Sequence, residues 1–302
     1  MPPMRTRPMR RWLAALSVAL AVPSAGHAII GGTEDTSGLF PGVASLTGPT
    51  TSASAVLISP DWALTAAHVV CEGAGCDPAA AAFTLHFDFP GGPATRGIGA
   101  IVVKDGYAGF AAGTDGIAHN DLALLRLATP APVAGYAVAP MLFGDAVVLA
   151  GYGGSGPFGG PLVAGDPAHR FFGGNVIDQS FGLPETAGQP VAFDAYGFDV
   201  AADGTSGAQL AGGDSGGAAL VARSGSYVLA GINTFTFTAP IPGGAEIHGG
   251  GGMVLAAYSS WIGQVTAVPE PATWATLALG FAVLVVLRAG RSTQEKRSPC
   301  WK

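Results

Sequence analysis

The chain has 302 residues, a formal charge of −6 and only 11% charged side chains. That length allows one or two domains with a real core, and the sparse, acid-leaning charge excludes a basic surface for nucleic acid.

The first segment carries Arg5, Arg7, Arg10 and Arg11, then an apolar run over 12–22, then small residues ending in Gly26-His27-Ala28. A basic head, a short apolar middle and small residues at a cut predict a secretory signal peptide over 1–28. The apolar run is about half of the ~20 residues that a spanning helix needs. The body that follows, 29–267, holds five basic residues (Arg96, Lys104, Arg126, Arg170, Arg223) against eighteen acidic ones, a charge near −13.

Along the body, short apolar runs at 55–58, 62–64, 83–87, 101–103, 122–127, 146–150, 218–221 and 227–232 read as strands. Gly, Pro, Asp and Ser clusters between them read as turns. The stretch 153–188 is rich in Gly and Pro and resists assignment. Only 255–265 suggests a helix, so the pattern predicts an all-β barrel or sandwich with one short terminal helix. Cys71 and Cys76 are the only cysteines of the body. In an exported segment they predict a small local disulfide, and two thiols without a second pair leave a metal site incomplete.

The C-terminal part, 268–302, is a separate unit. Residues 272–287 contain no charge and are followed by Arg288, Arg291, Lys296 and Arg297. Sixteen helical residues reach ~24 Å, slightly under a ~30 Å hydrocarbon core, and the basic tail would stay in the cytoplasm. Pro269-Glu270-Pro271 stands just before this run. Triplet, apolar helix and basic tail together resemble the PEP-CTERM sorting signal. That resemblance implies an exosortase-type processing enzyme and delivery to the cell surface or extracellular matrix.

Three segments of the body matter together: Leu64-Thr65-Ala66-Ala67-His68, His119-Asn120-Asp121-Leu122-Ala123-Leu124, and Gly212-Gly213-Asp214-Ser215-Gly216-Gly217. Acyl transfer needs a hydroxyl nucleophile, an imidazole to take its proton and a carboxylate to hold the imidazole. Singly, each segment also reads as a cap, a turn or a tight loop. The order His, Asp, Ser in one chain is that of the chymotrypsin class.

With these motifs the body resembles the trypsin/chymotrypsin-like serine peptidases. Gly151-Tyr152-Gly153, the opening Ile29-Ile30-Gly31-Gly32 and the helix start at Ala257-Tyr258 extend the likeness over 29–265. The resemblance implies two six-stranded antiparallel β-barrels with His68, Asp121 and Ser215 as catalytic triad in the cleft between them. It implies an oxyanion hole from the amides of Gly213 and Ser215. It also implies an activating ion pair between the freed amino group of Ile29 and Asp214. The signal-peptide cut falls directly before Ile29, so export itself would produce that terminus.

The chain departs from the family where a cysteine pair is usual, with Val69 and Ala53 there instead, and Ala211 replaces another cysteine. The resemblance places Gln209 at the base of the specificity pocket, Thr234-Phe235-Thr236 on one wall and Gly250 on the other. Without an acid at Gln209, cleavage after Lys or Arg is not expected, and Thr236 would narrow the entrance. The expected protein is a serine endopeptidase acting on proteins or peptides, without cofactor or metal. It would be anchored transiently in the inner membrane with its peptidase domain outside the cytoplasm. The competing reading is a non-catalytic binding module of the same fold.

Overall fold

The computed structural model describes residues 29–71, 73, 75–89, 91–109, 116–158, 160–182, 193–200, 207–240, 246–267 and 279–284. The expected signal peptide lies outside these residues, as does most of the expected span at 272–287. Its described piece, 279–284, is helical and exposes Leu279, Phe281, Val283 and Leu284. No helix among the described residues is long and apolar enough to cross a membrane.

A two-residue strand, β1 (Thr33–Glu34), precedes two β-structures. The first contains β2 (Val43–Thr47), β3 (Ser52–Ser59), β4 (Trp62–Thr65), β5 (Thr84–Phe87), β6 (Ala94–Val103) and β7 (Ala123–Leu127). They close into an antiparallel barrel in the order β2-β3-β4-β7-β6-β5. On β5 the period-two rule is plain, with Leu85 and Phe87 buried and Thr84 and His86 partly exposed. Strands β3, β4 and β7 break that alternation because both of their faces are covered. Ala55, Leu57, Ala63 and Leu125 fill the barrel. Val56, Leu64 and Leu124 point outward, against Ala150, Leu220 and Ile232 of the second structure. The apolar runs at 55–58 and 122–127 are therefore continuous because these strands form the interface.

The second structure holds β8 (Ala146–Gly151), β9 (Phe171–Val176), β10 (Gln179–Gly182), β11 (Phe193–Val200), β12 (Ala218–Arg223), β13 (Ser226–Pro240) and β14 (Glu246–Val254). Here the expectation of a second six-stranded barrel needs correction. The sheet has eight strands in the order β1-β9-β8-β12-β13-β14-β11-β10. The reason lies at Ile177 and Asp178, where the chain leaves β8 after pairing through β9 and joins β11 through β10. One interrupted segment thus serves both edges, and β1 adds to the free side of β9. Near the break, Asn175 Nδ2 donates to the carbonyls of Asp199 (3.3 Å) and Ala208 (2.9 Å), replacing a backbone ladder.

The glycine run of β14 is a bed for aromatic rings. A Cβ on Gly249 or Gly251 would lie 2.2 and 2.5 Å from the ring tips of Phe237 and Phe235, so neither position admits a side chain. The chain ends its fold with a 3-10 turn at Leu255–Tyr258 and a helix, α2 (Ser259–Thr266), the latter packing Ile262 into the core. Ala53 and Val69, which stand where relatives have a cysteine pair, are both buried in the first-barrel core. Cys71 and Cys76 are bonded to each other as expected.

A buried ion pair stands where β1 and β9 adjoin, and its arginine reaches across to the first barrel. Arg170 and Asp35 are both inaccessible and meet at 2.8 Å. Arg170 Nη1 also donates to Tyr152 Oη (3.2 Å) and to the carbonyls of Val43 (3.2 Å) and Asp88 (3.3 Å). Burial works against the Asp35 carboxylate. The amides of Leu39 and Phe40 and the Arg170 guanidinium outweigh it and hold its pKa below the usual value.

Candidate active site

Backbone pairing brings the first two residues together. The end of β4 at Thr65 faces the start of β7 at Ala123. His68 lies just past the one and Asp121 just before the other. Ala66 and Ala67 are wholly buried, so the short helix α1 (Ala67–Val70) starts flush against the barrel and turns His68 outward. His68 N–H donates to Asp121 Oδ1 at 2.9 Å, and its Nδ1 lies 2.7 Å from Oδ2. Asp121 has no exposed side-chain surface, whereas His68 keeps 18%. A carboxylate only accepts, so Nδ1 carries the hydrogen of this contact, and in a neutral ring Nε2 is the atom that can accept a proton.

Ser215 comes from the loop before β12 and lines the same groove as His68. The loop is fixed by its carbonyls. The Gly212 carbonyl accepts from Gly154 N–H at 2.7 Å and the Asp214 carbonyl from Gly217 N–H at 2.9 Å. In a planar trans peptide the next N–H points the opposite way, which sets the directions of the Gly213 and Ser215 amides. Ser54 spans to the loop twice, its hydroxyl to the Gly213 carbonyl (2.9 Å) and its N–H to the Ser215 carbonyl (2.9 Å). Gly216 has φ +81, and a Cβ there would lie 2.1 Å from the Ser54 carbonyl oxygen. No other residue fits.

Asp214 is fully buried beneath this loop. Its oxygens accept from Gly153 N–H and Ala211 N–H, each at 2.9 Å, and from the backbone N–H of Ile29. Burial dominates and pushes its pKa up to about 7, with the three amides opposing. The Gly-Tyr-Gly motif follows from this carboxylate, because a Cβ on Gly153 would lie 2.5 Å from Asp214 Cγ. Ile29 is wholly buried at φ +58, a conformation that a β-branched residue resists. The next residue, Ile30, pairs with Gln209 through two backbone bonds of 2.8 and 3.0 Å.

The groove beside Ser215 has a volume of about 610 Å³. Leu210, Thr234, Phe235 and Thr236 line it, together with Phe237, Phe181 and Ile247. Of the expected pocket residues, Thr234, Phe235 and Thr236 are there. Gln209 and Gly250 are not among the lining. Gln209 is engaged by its backbone with Ile30, and Gly250 is covered by Phe198 and Leu210, whose atoms would lie 2.9 and 3.2 Å from a Cβ. Leu210 and Asp199 also line the groove, and no motif in the sequence marks them. Asp199 is level with Phe237 across Gly249, about 13 Å along β13 from Asn233. Burial and the neighbouring Asp178 raise its pKa, while Gln179, which donates to it, opposes them. Among the described residues no cluster of His, Cys, Asp and Glu could hold a metal ion.

A closed barrel packed on a second antiparallel sheet, with His68 held by Asp121 and Ser215 lining the same groove, is the architecture of a chymotrypsin-class protein. The family model for Trypsin matches residues 29–262, and the chain belongs to that family. Residues 267–292 match the PEP-CTERM protein-sorting motif. No individual curated protein matches the chain.

Proposed function

We propose that this protein is an exported, surface-sorted serine endopeptidase that hydrolyses peptide bonds through Ser215, His68 and Asp121. The observation that carries the reading is the grip of both Asp121 oxygens on His68, in the groove that Ser215 lines. Ser215 Oγ attacks the scissile carbonyl as His68 Nε2 takes its proton. The oxyanion is met by the amides of Gly213 and Ser215, and the resulting imidazolium is stabilised by Asp121. The proton then passes from His68 to the leaving amine, which departs and leaves an acyl-Ser215. Water, deprotonated by the same His68, attacks the acyl carbon and releases the acid and the free serine.

Removal of residues 1–28 would convert the Ile29 amide into an ammonium beside Asp214. A cation there favours the charged carboxylate that burial alone disfavours, so the cut would stabilise the loop bearing Gly213 and Ser215 with Asp214 ionised. The PEP-CTERM part then holds the protein transiently at the inner membrane, with 29–267 outside the cytoplasm. An exosortase-type enzyme processes the tail for release to the surface or matrix. Leu210 and the edge-to-face rings of Phe181 and Phe235 favour an uncharged side chain next to the scissile bond, and Thr236 crowds out long ones.

The test is labelling with a fluorophosphonate probe. Secreted protein should take up one probe per chain, and Ser215→Ala should abolish it. Absence of labelling in the wild type, or equal labelling in the variant, would overturn the reading in favour of a binding module.

A further inference from the structure

A second histidine–carboxylate pair is buried two residues from Asp121. His119 Nδ1 lies 2.9 and 2.8 Å from the two oxygens of Asp194 on β11. Asp194 is wholly inaccessible, and Tyr258, in the 3-10 turn before α2, donates its hydroxyl to Oδ2 at 2.8 Å. The same hydroxyl oxygen accepts Asn120 N–H at 3.2 Å. Asn120 sits at φ +59, and its Nδ2 donates to the Gly106 carbonyl at 3.4 Å. Its own carbonyl accepts Leu122 N–H at 2.7 Å, which closes a three-residue turn around Asp121.

A non-glycine residue stays in the left-handed region only when its surroundings over-determine it. Here they do so through one relay: His119 and Tyr258 donate to Asp194, and Tyr258 accepts from the Asn120 amide. A buried polar cluster is seldom a cheaper filler than apolar side chains of the same volume. This one is aimed at a single peptide next to Asp121. It also crosses the interface. Asp121 and His68 belong to the first barrel, whereas Asp194 and Tyr258 belong to the structure that carries Ser215.

We propose that His119, Asp194 and Tyr258 are positioning residues: they lock the Asn120 peptide so that Asp121 presents both oxygens to His68 in register with Ser215. The proposal rests on the peptidase reading above. A carboxylate that must meet a backbone N–H with one oxygen and Nδ1 with the other tolerates little displacement. Misplacement by about 1 Å costs on the order of 100-fold in rate.

Three variants test it: Tyr258→Phe, which removes only the hydroxyl; His119→Ala; and His119→Asn, which keeps a donor for Asp194. Rates are measured per probe-titrated serine, and the low-field His68 Nδ1 proton is followed by NMR. Tyr258→Phe and His119→Ala should lower kcat by roughly 10–100-fold with KM within twofold. Both should also shift or broaden the His68 proton. His119→Asn should recover most of the rate. If kcat and the proton signal stay at wild-type values while the melting temperature falls, the cluster is only structural and the proposal is wrong. A wild type that is not phosphonylated would sink the peptidase reading. The His68 proton would still decide the positioning claim, because it reports the Asp121 contact without turnover.

Discussion

The two sides of the cleft are built by different means. On the first-barrel side, His68 and Asp121 stand at the adjoining ends of two paired strands, so a backbone ladder brings them together. On the other side, the groove is assembled from β10, β11, β13, β14 and the loop before Ser215. Its shape is set by rings of β13 lying on the glycines of the neighbouring β14. The proposed chemistry is thus a local property of short segments. The groove proposed to choose the substrate is a collective product of the second sheet.

The catalytic side should break completely under single changes. Ser215→Ala should lower kcat on any cleaved peptide by about 10⁴-fold or more, with KM little changed. Gly216→Ala should approach that loss. Its Cβ collides with the Ser54 carbonyl and the Thr65 hydroxyl, so the loop must move. A drop of at least ~10²-fold in kcat, as for a lost oxyanion donor, is expected in steady-state assays.

Asp214 should make stability depend on pH. In a chain still carrying an extension before Ile29, its folded pKa of about 7 exceeds the unfolded value of 3.8. The unfolded chain then releases this proton first as pH rises. Stability falls between about pH 4 and pH 7 and levels off above, by up to about 4 kcal/mol for this group. A chain beginning at Ile29 should lose that slope. Urea titrations of both forms at pH 5 and pH 8 measure the difference. Parallel slopes would contradict the amine–carboxylate pair.

Breaking the Arg170–Asp35 pair should give a similar loss of stability. Arg170→Ala leaves Asp35 buried and unpaired, which costs about 3–5 kcal/mol. Arg170→Met, which restores packing but leaves Asp35, should remain destabilised. A double change that also replaces Asp35 with Asn should recover part of the loss, read as the urea midpoint. Because the Asp35 pKa is depressed, this stabilisation is present above its unfolded value and lost as pH falls through the lower folded one.

These contrasts also explain what could be read from the residues alone. Strands such as β3, β7 and β12 are legible because each carries an apolar run of Val, Ala, Leu or Ile. Strands β9 and β14 were not, because Gly173, Gly174 and Gly249 to Gly252 carry no periodic signal. Their sheet role depends on rings supplied by other strands. His68, Asp121 and Ser215 stand out by motif order, whereas Phe181 and Asp199, which line the groove from β10 and β11, do not. Nothing local marks a residue that fills a pocket from a separate strand. Asp194 was hidden for the same reason, since its partners His119 and Tyr258 lie 75 and 64 residues away.

The smallest effects belong to the groove. Thr236→Gly should widen it and admit bulkier side chains. A change of about 1–3 kcal/mol in relative kcat/KM is the usual worth of such a contact. Asp199→Asn should leave kcat unchanged and reduce any preference for positive charge several residues upstream of the cut.

The most direct test of the account is a peptide-library cleavage profile of the secreted protein beside its Ser215→Ala variant. The account predicts cuts after uncharged side chains, all of them absent from the variant. Dominant cleavage after Lys or Arg, or no cleavage by the wild type, would contradict it.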